Sequence, residues 1–145
     1  MFKTQRINGF AILIGTLVDL CGSVAPVMAF GFIQGFRMAS QGVPEAERQA
    51  RLTALFQNPV MLLGGLVLGA AFSFLGGFVA ARIAKNAEIM HSGVVGGIGT
   101  VLGLLFLASP ESGPLWAEVA GILLTIPVAI LGGHVAGGRR KGAVV

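Results

Sequence analysis

Four long apolar stretches separated by short polar segments dominate the pattern of residues along the chain. They cover about residues 7–30, 59–81, 89–108 and 115–135. A helix rises about 1.5 Å per residue, so each stretch is long enough to cross the roughly 30 Å hydrocarbon core of a bilayer. A transmembrane β-strand needs only about ten residues of alternating polarity, and these stretches are continuous. The pattern therefore predicts an all-α membrane protein, a four-transmembrane-helix bundle.

Composition supports the same class. Of 145 residues, 54% are hydrophobic and 11% are charged, and the mean hydropathy is +0.86. A soluble domain carries about 25% charged residues. The length suits one domain, and no connection between the apolar stretches is long enough to fold separately. We expect a single transmembrane domain over residues 1–145, with the lipid bilayer as its main partner.

Basic residues concentrate at one end of the predicted bundle. The end with both termini carries Lys3, Arg6, Arg82, Lys85, Arg139, Arg140 and Lys141, and the other end carries Arg37, Arg48 and Arg51. Short cytoplasmic loops are enriched in Lys and Arg, so this distribution predicts that both termini are cytoplasmic. It also accounts for the pI near 10.3. Nucleic acid is not an expected partner.

The chain also looks internally duplicated, as two tandem helical hairpins. Residues 75–80 read LGGFVA and residues 131–136 read LGGHVA, while IGT occurs at both 14–16 and 98–100. With two helices in each repeat, both copies would run in the same direction through the membrane. The alternative is a chance likeness between glycine-rich helices that end in basic residues.

Glycines spaced four residues apart recur in the predicted spans. Lipid gives helices no hydrophobic reason to associate, so they pack through close backbone approach at small residues. The glycines expected at helix contacts are Gly65, Gly69, Gly76, Gly77, Gly93, Gly97, Gly99, Gly103, Gly132, Gly133 and Gly137. Those of the third span occupy more than one face, which predicts a central helix.

Asp19 is the single charged residue in the apolar run from Ile7 to Phe36, and it lies near the bilayer centre. An acid there costs roughly 2.5–3.5 kcal/mol, so we expect it to face protein. The sequence offers no Lys, Arg or His at the same depth, which favours an uncharged carboxyl that donates a hydrogen bond to a neighbouring helix carbonyl or to Thr16 or Thr100. Two roles stay open: a hydrogen-bonded link between helices, or a proton or ion site made of Asp19, Thr16 and Thr100.

The first apolar run is longer than a bilayer is thick, and Pro26 predicts a kink near residues 22–26. The loop that follows, residues 37–58, predicts a short amphipathic helix. Pro44 suits a first helical position, and Glu47 with Arg51 forms a favourable i,i+4 pair. We expect this helix to lie at the membrane surface. Capping the outer mouth of the bundle and docking a partner protein are the alternatives.

The sequence carries no nucleophile elbow, P-loop or dinucleotide-binding fingerprint. Cys21 is the only cysteine, and His91 and His134 near the ends of spans are expected to contact headgroups or backbone. Glu118 is expected at the membrane interface, or else at the outer entrance of a pathway. We therefore expect no enzymatic activity, no metal site and no cofactor.

Residues 76–84, GGFVAARIA, are followed by His91, Ser92 and Gly93. This stretch resembles small uncharacterised bacterial four-helix inner-membrane proteins, in which a Gly-Gly-aromatic-x-Ala-x-Arg-x-Ala helix end precedes a His-Gly helix start. Ser92 departs from that pattern. The resemblance implies a bacterial inner-membrane location and no known activity.

Three functional hypotheses remain. We prefer a non-catalytic accessory or assembly subunit that works in a homo-oligomer or a larger membrane complex. The alternative is an oligomeric proton- or cation-coupled transporter or channel that uses Asp19. Its pathway would form between copies, because four short helices rarely enclose a cavity. An intramembrane enzyme comes third.

Overall fold

A computed structural model of the chain describes residues 7–108 and 113–141, with side chains up to residue 138. These residues form five helices and no strand: α1 (Gly9–Ser40), α2 (Glu45–Phe56), α3 (Pro59–Ala84), α4 (Glu88–Leu107) and α5 (Leu115–Lys141). The helices α1, α3, α4 and α5 are long and apolar enough to cross a membrane. The predicted all-α bundle of four spanning helices is confirmed. Lys3 and Arg6, which entered the orientation argument, lie outside the described residues.

The largest difference from the predicted bounds is at the end of α1. This helix continues to Ser40, so the connection to α3 starts only at Gln41. Its 32 residues give a length of about 48 Å, well beyond the thickness of the hydrocarbon core. Pro26 lies inside the helix without interrupting it.

Local signals in the sequence explain where several helices begin and end. The side chain of Asn8 accepts a hydrogen bond from the Ala11 N–H, and Asn58 does the same for Val60, so both are N-caps. Pro59 then takes the first turn of α3, where its missing N–H costs nothing. The tight α3–α4 turn has left-handed backbone at Lys85 and Ala87.

The spanning helices pack with α3 and α4 in the middle. α3 contacts α1, α5 and α4, and α4 contacts α1, α3 and α5. Within the described parts of the chain, no Cα atom of α1 lies within 8 Å of one in α5. The third span is thus a central helix, and α3 shares that position.

The two ends of the bundle differ. At one end, which we call the terminal end, the backbone of Asn8 bonds to His91, and Gly137 lies against Glu88. The start of α1 and the last part of α5 therefore flank the start of α4. At the opposite end, the α2 end, α2 folds back on α1, with the rings of Phe30 and Phe56 edge to face at 6.1 Å.

Large apolar side chains cover the outside of the bundle. Phe32, Val67 and Leu105 are among the most exposed of them. Soluble monomers rarely expose contiguous apolar patches of more than a few hundred Å². This surface and the four spans imply contact with a lipid bilayer, as a multi-pass membrane protein.

Candidate functional site

A cavity of about 530 Å³ lies between the spanning helices, in the half of the bundle nearer α2. Its volume falls within the roughly 300–1,000 Å³ typical of small-molecule sites. Most of its lining is aliphatic, aromatic or glycine, and the polar lining residues are Asp19, Ser23, Ser73, Glu118 and Thr125. The cavity is open on one side rather than enclosed, because lining residues such as Val60, Gly64 and Gly65 are exposed, and the expected pathway between copies stays a prediction.

Four residues, one from each spanning helix, mark the deepest part of this cavity. Of the lining residues on each span, these lie nearest the terminal end: Asp19 of α1, Ser73 of α3, Gly99 of α4 and Thr125 of α5. We call them the floor. Asp19 and Gly99 are conspicuous in the sequence, but nothing in it places them beside Ser73 and Thr125.

Asp19 is only 5% exposed, and its carboxyl takes part in the floor. The Ser73 hydroxyl donates a hydrogen bond of 2.9 Å to Oδ1. The other oxygen, Oδ2, faces Gly99, where an added Cβ would lie 3.2 Å away, and no described residue donates a hydrogen bond to it. The absence of a side chain at Gly99 gives the carboxyl its room. The Asp19 carbonyl accepts a further hydrogen bond from the Ser23 hydroxyl.

The expected partners of Asp19 were Thr16 and Thr100, and the structure gives a different one. Both threonine hydroxyls are buried and make no hydrogen bond within the described residues, and neither residue lines the cavity. Ser73 takes their place because of the way α1 and α3 pack. A Cβ on Gly15 would meet the Gly76 carbonyl, so these antiparallel helices touch at this pair. One turn along each helix then brings Asp19 opposite Ser73.

Below the floor, towards the terminal end, glycines let backbones meet. A Cβ on Gly77 would collide with the carbonyl of Ala129, and one on Gly132 with the carbonyl of Phe74. α3 and α5 therefore pack backbone to backbone. A Cβ on Gly133 would likewise collide with the Ser92 hydroxyl.

The other glycines expected at contacts behave differently. Gly65, Gly69 and Gly97 have open space where a Cβ would lie, so none of the described helices packs closely there. Gly65 and Gly69 instead line the cavity. At three other expected positions an added Cβ would lie near a side chain. The nearest atom belongs to Ile130 at 3.9 Å for Gly93, to Ile122 at 3.0 Å for Gly103 and to Glu88 at 3.5 Å for Gly137.

His91 is a buried link between two helix starts. It is 1% exposed, its Nδ1 lies 3.0 Å from the Ala87 carbonyl, and its Nε2 accepts a 2.8 Å hydrogen bond from the backbone N–H of Asn8. This pair of bonds requires a neutral ring with the proton on Nδ1. The expected backbone contact thus reaches α1, far away in sequence. His134 is exposed.

Glu118 lies among the lining residues nearer the α2 end. Its Oε1 accepts a 3.2 Å hydrogen bond from the Gly113 N–H. Phe56 of α2 lines the same cavity, so the helix in the first loop covers part of the space between the spans. Surface anchoring and capping of the outer mouth both stay predictions for this helix.

The corresponding glycines of the two proposed repeats have different neighbours. Gly15 faces Gly76 across the first hairpin, whereas a Cβ on Gly99 would meet Thr125, and one on Gly132 would meet α3. The duplication stays a prediction.

Within the described residues, no three His, Cys, Asp or Glu side chains come together in a group that could hold a metal ion. Comparisons of the chain with known protein families, curated proteins and solved structures find no match.

Proposed function

We propose that the protein is a membrane transporter that moves protons, with Asp19 as the group that carries them. One observation supports this most directly: the Asp19 carboxyl lines a cavity between membrane-spanning helices. Ionisable residues within membrane spans commonly mark proton and ion paths. A carboxyl that merely joined two helices would need no open space beside it.

The chemistry of the floor favours a proton over a metal ion. Asp19 offers one carboxyl, and its described hydrogen-bond partner there is the single hydroxyl of Ser73. A hard cation such as Ca²⁺ takes about six to eight oxygen ligands. A proton needs only the free carboxyl oxygen, and Oδ2 takes no hydrogen bond from the described residues.

The packing also suggests how such a transporter would keep its path closed. The cavity lies on the α2 side of Asp19, whereas Gly15 and Gly76 meet closely on the terminal side. Passage of a proton to the terminal end would require α1 to shift against α3, a small sliding of packed helices. On this proposal, the arrangement described above would be the state in which the carboxyl faces the α2 side.

We further propose that the chain resides in a bacterial inner membrane with both termini in the cytoplasm. The basic residues support this orientation, since Arg82 in the last turn of α3 and Lys85 directly after it lie at the terminal end. The α2 side of the cavity would then face outward.

Proton movement can be measured in proteoliposomes that contain a pH-sensitive dye, with a potassium diffusion potential as the driving force. We expect proton entry above that of protein-free liposomes, and its loss in Asp19→Asn. Asparagine keeps an oxygen that can accept from Ser73 but cannot take up a proton. Glu47→Gln is the matched control, because it makes the same carboxyl-to-amide change on an exposed residue of α2. Proton entry no faster than in protein-free liposomes would overturn the proposal.

The second candidate is the non-catalytic accessory or assembly subunit. The hydrogen bond from Ser73 to Asp19 supports it, because a bond between α1 and α3 is what a purely structural acid would make. In that case Asp19→Asn would assemble normally into the homo-oligomer or larger complex, Asp19→Leu would not, and the wild-type protein would conduct no protons.

A further inference from the structure

Carboxyl groups are the only ionisable side chains among the described residues that line the cavity. Asp19 belongs to the floor and Glu118 lies towards the α2 end, while none of the described lining residues is Lys, Arg or His. An anionic ligand would meet two acids and no compensating cation. The charge of the lining therefore favours a positively charged ligand.

The walls between the two acids favour a ligand with a large apolar body. They consist mainly of aliphatic side chains and glycines, with Phe30 and Phe56 as the aromatic members. The faces of such rings attract cations, an interaction worth about 0.5–2 kcal/mol. Gly65 and Gly69 widen this part of the cavity, because nothing fills the place of their missing side chains.

A neutral apolar occupant, such as a lipid acyl chain, would pack well against the apolar walls but would offer no polar partner to Asp19 in the floor. Oδ2 of Asp19 takes no hydrogen bond from the described residues, so an apolar occupant would bury it without a partner, which costs about 1–3 kcal/mol. A positive charge placed beside this oxygen compensates that cost.

The geometry points to an amphipathic organic cation as the ligand of this cavity, held with its charge near Asp19 and its apolar body between α1, α3 and α5. As the substrate of the transporter, this ligand rests on the proposed function. Its binding to the cavity does not. A cation that displaces a proton from Asp19 would exchange one positive charge for another at the floor.

Tetraphenylphosphonium and tetraphenylborate form a matched pair of probes, because they have similar shapes and opposite charges. Calorimetric titration of the purified full-length protein in a non-ionic detergent should show saturable binding of the phosphonium and none of the borate. Benzyltrimethylammonium serves as a smaller cation. We expect Asp19→Asn to weaken binding at least tenfold, and Glu47→Gln to leave it unchanged.

A second variant tests the cavity without touching the acid. Gly69→Leu fills part of the open space and should weaken phosphonium binding at least tenfold, so the inference does not depend on the folding of Asp19→Asn alone. Titration in two buffers of different ionisation enthalpy should also show proton release on binding to the wild-type protein and none on binding to Asp19→Asn.

Equal binding of the borate, an equal affinity of Asp19→Asn and the wild type for both cations, or no binding of either cation would each overturn the inference. Displacement of the phosphonium by a neutral long-chain alcohol, with no dependence on Asp19, would identify a lipid-chain site instead. Cation binding without proton flux in liposomes would leave this inference standing and remove the proposed function, and flux without binding would do the reverse.

Discussion

The terminal half and the α2 half of the bundle use the same residue, glycine, to opposite effect. In the terminal half, Gly77 and Gly132 let the backbones of α3 and α5 touch. In the α2 half, Gly65 and Gly69 on the same helix α3 leave space that becomes a cavity. A missing side chain brings two helices together only where the neighbouring helix is free to move in, and elsewhere it makes room for a ligand.

Contacts of α1 show how the bundle changes from one half to the other. At Gly15 this helix meets the backbone of α3 directly, whereas at Gly22 the ring of Phe72 lies in between. Further along, Phe30 reaches the ring of Phe56 on α2. The contacts of α1 thus pass from backbone to side chain along its length, with Asp19 at the point of change.

The sharpest test of this comparison adds one methyl group to each half. Gly77→Ala should destabilise the protein by about 3 kcal/mol or more, because the new Cβ would collide with the backbone of Ala129, which cannot turn aside as a side chain can. Gly65→Ala should be neutral, or stabilising by up to about 1 kcal/mol through its higher helix propensity, since its Cβ meets open space. Unfolding in mixed micelles measures both.

Equal losses of stability in the two variants would mean that the halves do not differ in packing. Gly97→Ala is a further control, because the structure leaves open space there although the sequence marked it as a contact.

The number, type and approximate bounds of the spans could be predicted because each depends on a continuous apolar run in its own segment. The role of each glycine could not, since Gly69 and Gly77 look alike in sequence and differ only in what faces them. The length of α1 was also underestimated. Its last ten residues lie beside α2, with Leu52 near Gly35, and the sequence does not show this contact.

A smaller loss of stability is expected from replacing His91, which links the starts of α1 and α4 in the terminal half. His91→Ala removes the acceptor for the Asn8 N–H and leaves a cavity where a fully buried ring packs, and together these should cost about 1–3 kcal/mol. His134→Ala changes the same residue type at an exposed position of α5 and should alter stability little. The same unfolding experiment compares them. A harmless His91→Ala together with a costly His134→Ala would contradict this assignment.

The candidate site illustrates the same limit of sequence inference. Asp19 could be found from sequence because a single acid in an apolar run is conspicuous wherever the helix packs. Its partner could not be found from residue type, since Thr16, Thr100 and Ser73 are all hydroxyl donors. The choice among them depends on the register between α1 and α3, which the contact of Gly15 with Gly76 sets. The positions of Gly15 and Gly76 therefore determine which hydroxyl lies beside Asp19, and residue type alone does not.

The difference in access between the halves can be measured with two serines that are both buried. Ser73 is 6% exposed and belongs to the floor of the cavity, whereas Ser92 is 0% exposed and lies against Gly133 in the terminal half. With Cys21 replaced by serine, a small cationic methanethiosulfonate should modify Ser73→Cys at least about tenfold faster than Ser92→Cys, which corresponds to about 1.4 kcal/mol of easier access. Gel filtration of both variants before labelling checks that they are folded.

A bound phosphonium should slow the reaction at position 73 alone, since only that thiol would lie in the proposed cation site. Equal rates for two folded variants would mean that the α2 half is as closed as the terminal half, and Asp19 would then be a buried link between helices.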